Sequence, residues 1–322
     1  MKRIVTALMA SSLSVAPAWA EAPSVVTSIK PVHALVAVVM DGVGTPHLVV
    51  NGAASPHTFS LRPSDAEALQ NAELIFWVGP DMETFLSGAI ETLGADAKVV
   101  SLMETHDLMT LDIREGGAFE THEHDEDVAH DDAHDEDHDD AHPEEEHGHQ
   151  EIDMHLWLDP LNAKAMVNEI AEALALADPD NAAAYAGNSE QAGADLDALI
   201  TEVETTIAPV AGKPFIAFHD AYQYFENRFG VTAAGTITVS PETMPGAQRL
   251  AEIREKIAEV GALCVFSEPQ FAPRLINVVI EGTEARSGVL DPLGADLDDG
   301  PDLYFELIRN MAASFKACLE GN

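Results

Sequence analysis

The sequence predicts an α/β protein: two (β/α) domains with parallel-type sheets, joined by one long rigid helix. Three observations carry that expectation. Short apolar runs read as buried strands and alternate with stretches of three-to-four-residue periodicity, as in βα units. A helical pattern of exceptional length, from Asp180 to about Ile207, stands between two such series. The series themselves are punctuated by Gly and Pro where each element should stop. A single doubly wound sheet is the alternative arrangement.

The elements follow in order. "SVVTSI" (24–29) reads as a buried strand, and "PVHALVAVVMDGVG" as a helix opened by proline and closed by glycine. "HLVVN" (47–51) is a strand, "RPSDAEALQNA" a helix, and "LIFWVGP" a strand stopped by Gly-Pro. "DMETFLSGAIETLG" is a helix ending at Gly94, and "KVVSL" a strand. Met166, Ile170, Leu174 and Ala177 mark a further helix, stopped by Asp178-Pro179. In the long helix the apolar positions are Ala192, Leu196, Leu199, Val203 and Ile207; at 1.5 Å per residue it spans roughly 40 Å. The alternation resumes with strand "FIAFH", helix "AYQYFENRFG", strand "VTAAGTITV" and a helix from Pro245 to about Val260. Strand "LCVFSE", helix "RLINVVIEGTEAR", strand "GVLDP" and a terminal helix complete the chain.

The resulting division is a signal peptide at 1–20, an N-terminal α/β domain at 21–179, the linking helix at 180–208 and a C-terminal α/β domain at 209–322. Lys2 and Arg3 precede an apolar run ending in Ala18-Trp19-Ala20, the order of charge, apolar core and small-residue cleavage site that marks an exported chain. No later stretch approaches the ~20 apolar residues of a membrane helix. Cys264 and Cys318 are the two cysteines, and in an exported protein they are expected to form one structural disulfide between the terminal helix and a strand. Lys and Arg number 16 against 56 Asp and Glu, for a formal charge of −40. Such a chain repels nucleic acid and anionic lipid and attracts cations.

In open α/β sheets, ligands bind outside the carboxyl ends of strands. His57 lies in the loop after "HLVVN", His219 closes "FIAFH", Glu268 closes "LCVFSE" and Asp291 closes "GVLDP"; His155 follows the acidic stretch. Singly, a histidine can cap backbone groups and an Asp or Glu before proline can serve a turn. Together, three imidazoles and one or two carboxylates at one crevice point to a metal. Imidazole nitrogen suits zinc, copper and nickel better than calcium or magnesium, and three His with a carboxylate or water make a tetrahedral zinc site. Manganese would be better served by fewer imidazoles and more carboxylates.

"SPHTFSLRPSDAEALQNAELIFWVGPDMETFL", "MHLWLDP", "FHDAYQYFENRFG", "VFSEPQF" and "GVLDPLGADL" resemble, along nearly the whole mature chain, the periplasmic zinc-binding proteins of ABC uptake systems, the cluster A-I solute-binding family. The resemblance implies two (β/α) domains with the metal in the cleft between them. It carries the ligand role onto His57, His155 and His219. The family's fourth position varies between a carboxylate of the last domain, here Asp291, a glutamate beside the first histidine, and water. Pro56 stands where that glutamate would be, which leaves Asp291 or water. The family's disulfide also matches Cys264 and Cys318. The expected partner is an inner-membrane ABC permease, with periplasmic zinc chaperones as further candidates, and the expected state a periplasmic monomer.

Residues 120–151 hold eight of the fourteen histidines and sixteen carboxylates. Such a segment buries too little apolar surface to offset its ordering cost and is expected to be disordered without metal. A solvated spacer would serve with acids alone; His122, His124, His130, His134, His138, His142, His147 and His149 add nitrogen ligands, so the insert is expected to collect zinc weakly at several sites. His130, His134, His138 and His142 recur every four residues, one face of a helix if one formed, although slippage of the "HDDAH" repeat gives the same spacing. "HDDAH" is not HExxH.

Three functions are weighed: a zinc carrier, a manganese carrier of the same fold, and a zinc hydrolase with Glu268 as general base. Neither HExxH nor GxSxG occurs, which favours the carrier and no enzymatic activity.

Overall fold

In a computed structural model, residues 22–114, 116, 118–119, 151–238, 245–271 and 274–321 are described. The expected leader at 1–20, and all of the 120–151 insert but Glu151, fall outside them. The first series is β1 (Val25–Ile29), α1 (Lys30–Val39), β2 (His47–Val50), α2 (Pro63–Gln70), β3 (Leu74–Trp77), α3 (Thr84–Leu93) and β4 (Lys98–Ser101). Its strands pair in parallel in the order β2-β1-β3-β4. β1 and β3 are buried at every residue, as strands covered on both faces must be.

Two helices follow, α4 (Pro160–Ala177) and α5 (Ala182–Ile207). Pro160 opens α4 at a position where no N–H is needed, and Asp159 accepts from the Leu161 N–H at 2.9 Å as its cap. The second series is β5 (Pro214–Ala217), α6 (Gln223–Phe229), β6 (Thr232–Thr236), α7 (Ala247–Val260), β7 (Cys264–Ser267), α8 (Arg274–Ile280), β8 (Arg286–Val289) and α9 (Leu303–Glu320). This sheet is also parallel, in the order β6-β5-β7-β8, the same topology as the first. The expected α/β architecture of two parallel sheets and a long linking helix is the one observed.

Several boundaries differ from expectation, α1 for example ending at Val39 rather than near Gly44, and two of them have a clear physical reason. The helix expected over 274–286 stops at Ile280, because Gly282 takes φ of 79° and Arg286 is needed as the partner of Cys264 in β8. The strand expected to run to Pro292 ends at Val289, since the Asp291 side chain bonds the following turn.

One apolar interior serves both sheets. It runs from Val32 and Leu35 of α1 through Leu196, Leu199 and Val203 of α5 to Phe225 of α6 and Phe315 of α9. A second, smaller cluster of Ile216, Ile253, Ile257, Val265 and Val279 packs α7 and α8 on the outer face of the second sheet. Polar contacts also join the halves. Lys30, only 4% exposed, reaches from the first residue of α1 to the Leu297 carbonyl at 2.6 Å and to Asp299 at 3.2 Å. The expected disulfide joins Cys264 at the start of β7 to Cys318 in α9. Among the described residues, no helix is long and apolar enough to cross a membrane.

Candidate metal centre

The second sheet reverses its winding between β5 and β7, and the carboxyl ends of those neighbours open a crevice. His219 follows β5 and Glu268 follows β7, so the crevice places them side by side. The Nδ1 of His219 lies 2.7 Å from Oε1 of Glu268, with the ring buried. His155 arrives from the other side, on the stretch between the insert and α4. Asp153 Oδ1 accepts from its backbone N–H at 3.0 Å and lies 2.7 Å from its Nδ1. A carboxylate on each Nδ1 holds the proton there and leaves the Nε2 lone pair free.

Those two Nε2 atoms face each other at 3.4 Å. With both Nδ1 atoms protonated, lone pair faces lone pair, an arrangement that a cation between them relieves. Two nitrogens each ~2.05 Å from one tetrahedral zinc lie about 3.3 Å apart, so the observed spacing suits one shared ion. His57, from the loop between β2 and α2, completes the set: one nitrogen of each ring lies within 4.8 Å of the others. Its ring centroid is 5.9 Å from each of the other two. The space between them, about 10 Å³, is walled by Trp157, Phe271 and Leu293 and is about the volume of a single water or ion.

Burial and then the imidazoles of His155 and His219 push the His57 pKa down to about 3, so at neutral pH its lone pair is available. Burial is the largest influence on His219 and acts to lower it, but the charge and hydrogen bond of Glu268, with the charges of Asp220 and Asp153, together carry that ring above its ordinary value.

Asp291 is the expected ligand that the structure does not bring in. It is absent from the cluster of converging donor atoms. Its Oδ1 instead accepts from Gln270 Nε2, Leu293 N and Gly294 N, each at 3.0 Å, and its Oδ2 from Ala295 N at 2.5 Å. A carboxylate so engaged by backbone amides shapes the loop that walls the cleft. Glu268, weighed as a general base, instead orients His219. Asp153 was not singled out from sequence, although an Asp two residues before a histidine, in position to bond its backbone, is a readable signal. The insert histidines lie outside the described residues.

Sequence comparison agrees with the geometry. The 56% identical high-affinity zinc uptake system protein ZnuA of Brucella abortus aligns over 308 residues, 93% of this chain and 92% of its own. Its counterpart in Yersinia pestis is 39% identical over 99% of this chain and 98% of its own. Two solved structures share the fold: a ZnuA crystal structure (TM-score 0.71, 22% identity, 91% of this chain and 99% of that one) and the periplasmic zinc-binding protein TroA of Treponema pallidum (TM-score 0.73, 21% identity, 92% and 99%). The family described as "ZnuA: Zinc-uptake complex component A periplasmic" matches residues 25–318, and with three imidazoles gathered where its fold opens, this chain belongs to that family.

Proposed function

We propose that the protein captures Zn²⁺ in the periplasm and delivers it to the inner-membrane permease of an ABC importer. The observation that carries this reading is the convergence of His57, His155 and His219, with the Nε2 atoms of two of them 3.4 Å apart. Zinc is cargo here, so the site needs affinity and an exit rather than a reactive water, and the protein acts as a carrier and not an enzyme. The three histidines are the ligands. Water takes the fourth place, because the Asp291 carboxylate is already engaged by four donors. Export by the leader at 1–20, a monomeric state and supply by periplasmic zinc chaperones belong to the same reading. So do the division into domains at 21–179 and 209–322 about the 180–208 helix, and weak collection of zinc by the histidines of the insert. Those histidines with their acids raise the cation concentration near the protein.

The test is calorimetric titration of the metal-stripped protein with Zn²⁺ against a competing chelator, for the full chain and for a variant lacking 120–151. One tight site should survive the deletion while weaker binding disappears. Alanine at 57, 155 or 219 should weaken the tight site severely, Asp291→Asn much less, and Mn²⁺ should fail to displace Zn²⁺ from three nitrogens. Tight binding that persists in all three histidine variants overturns the proposal.

A further inference from the structure

The three rings are not equivalent. His219 is backed by Glu268 and His155 by Asp153, each at 2.7 Å, whereas the His57 ring forms no hydrogen bond with any described residue; only its backbone N–H is engaged, by Ser55 Oγ at 3.3 Å. The difference extends to the scaffold. His155 belongs by sequence to the first half, yet its segment is tied to the second. Tyr224 of α6 donates to the Asp153 carbonyl at 2.7 Å, and Gln223 to Asp153 Oδ2 at 3.3 Å. Tyr304 of α9 donates to the Trp157 carbonyl at 2.7 Å. The Arg228 guanidinium grips both oxygens of Asp159 at 2.8 and 2.7 Å. The His155 segment is thus fastened to the half that carries His219, and His57 alone comes from the loop of the first sheet.

We infer that Asp153 and Glu268 are positioning residues that preset His155 and His219 as a two-nitrogen seat, and that His57 is the ligand that closes on the ion and lets it go. This rests on the zinc reading above and adds to it the order of events. An arriving ion meets two oriented lone pairs whose ordering cost is met by the fold, and the unbacked ring joins last. On release, the contact that breaks first is the one with no carboxylate behind it. A partner that shifts the loop between β2 and α2 opens the site without disturbing either carboxylate–imidazole pair.

The experiment uses the full chain loaded with Zn²⁺ or Co²⁺, with thermal melting as the check on folding. Glu268→Ala and Asp153→Ala should each weaken metal binding about 10–100-fold, the range for lost outer partners of metal-bound histidine. Glu268→Gln and Asp153→Asn keep a carbonyl oxygen for the Nδ1 proton and should recover part of that loss; they also decide the question if an alanine variant fails to fold. His57→Ala should retain Co²⁺ on the remaining pair, with a changed visible spectrum and faster transfer to chelator, under conditions where His155→Ala and His219→Ala retain none. Equal losses in the alanine and amide variants, or a His57→Ala loss matching those of the other two histidines, overturns the inference while wild-type zinc binding leaves the carrier reading intact. A wild-type protein that takes up no zinc sinks both.

Discussion

The two sheets share one strand order but are secured by different means. The first is buried by its own helices and by α4 and α5, and the loop after β3 is braced from within by Glu83. That carboxylate is wholly buried and accepts from the Val78 and Gly79 N–H groups at 3.1 and 3.0 Å. The second is held by the terminal helix, which brings Phe315 against Phe215, Phe225 and Phe266 in the shared interior and carries one half of the disulfide. Equal topology does not dictate equal anchoring. Here the half with the disulfide carries His219 and the side chains that tie the His155 segment, and the sheet without a covalent tie carries the unbacked His57.

Mutations can break that contrast. Phe315→Ala removes the ring that Phe215, Tyr222, Phe225 and Phe266 all meet and should cost up to about 5 kcal/mol, read as a lowered urea midpoint. Replacing both cysteines with alanine frees a crosslink of sequence separation 54, for which loop entropy suggests about 4 kcal/mol. Hydrogen exchange should locate that loss in β7, β8 and α9 and leave the first sheet protected.

Glu83 tests the other side. Burial raises its pKa from 4.5 to about 7, against the pull of its backbone hydrogen bonds. The folded state thus holds a proton that the unfolded chain releases near 4.5. Its contribution is complete below about pH 4.5 and is lost as pH rises through about 7, roughly 3 kcal/mol in all. Glu83→Gln should remove that part of the pH dependence, seen by comparing urea midpoints of the two proteins at pH 5 and pH 8. The smallest effect is expected where α4 and α5 meet at the surface. Lys164 bonds both oxygens of Asp197 at 2.7 Å, but both side chains meet solvent, and Lys164→Ala should cost less than about 1 kcal/mol. A larger loss would make the junction between the sheets, rather than the sheets themselves, the site of strain.

Much of this was legible in the residues. Strands appeared as short apolar runs, α5 as a long spaced series, and His57 and His219 as polar residues at or after strand ends, with His155 where the chain returns from the acidic insert. Chain pattern reports burial and periodicity well because both are local. What it could not report is where a side chain finds partners far along the chain. Asp291 reads equally as a ligand and as a turn residue, and only the four donors around it separate the two. Glu268 reads as a base until His219, 49 residues earlier, is placed beside it. Arg114 is an isolated basic residue ahead of the acidic insert, and its role as a bridge to Asp220 and Glu226 depends on a contact more than a hundred residues away. The early end of α8 has a local sign in Gly282, but that Arg286 is taken by strand pairing with β7 depends on a partner far along the chain.

The single interior that runs from α1 to α9 ties folding to function. Neither half can be lent out alone, because cutting the chain between α4 and α5 would set Leu196, Leu199 and Val203 in water. Separating the two halves therefore exposes apolar surface that neither can cover alone.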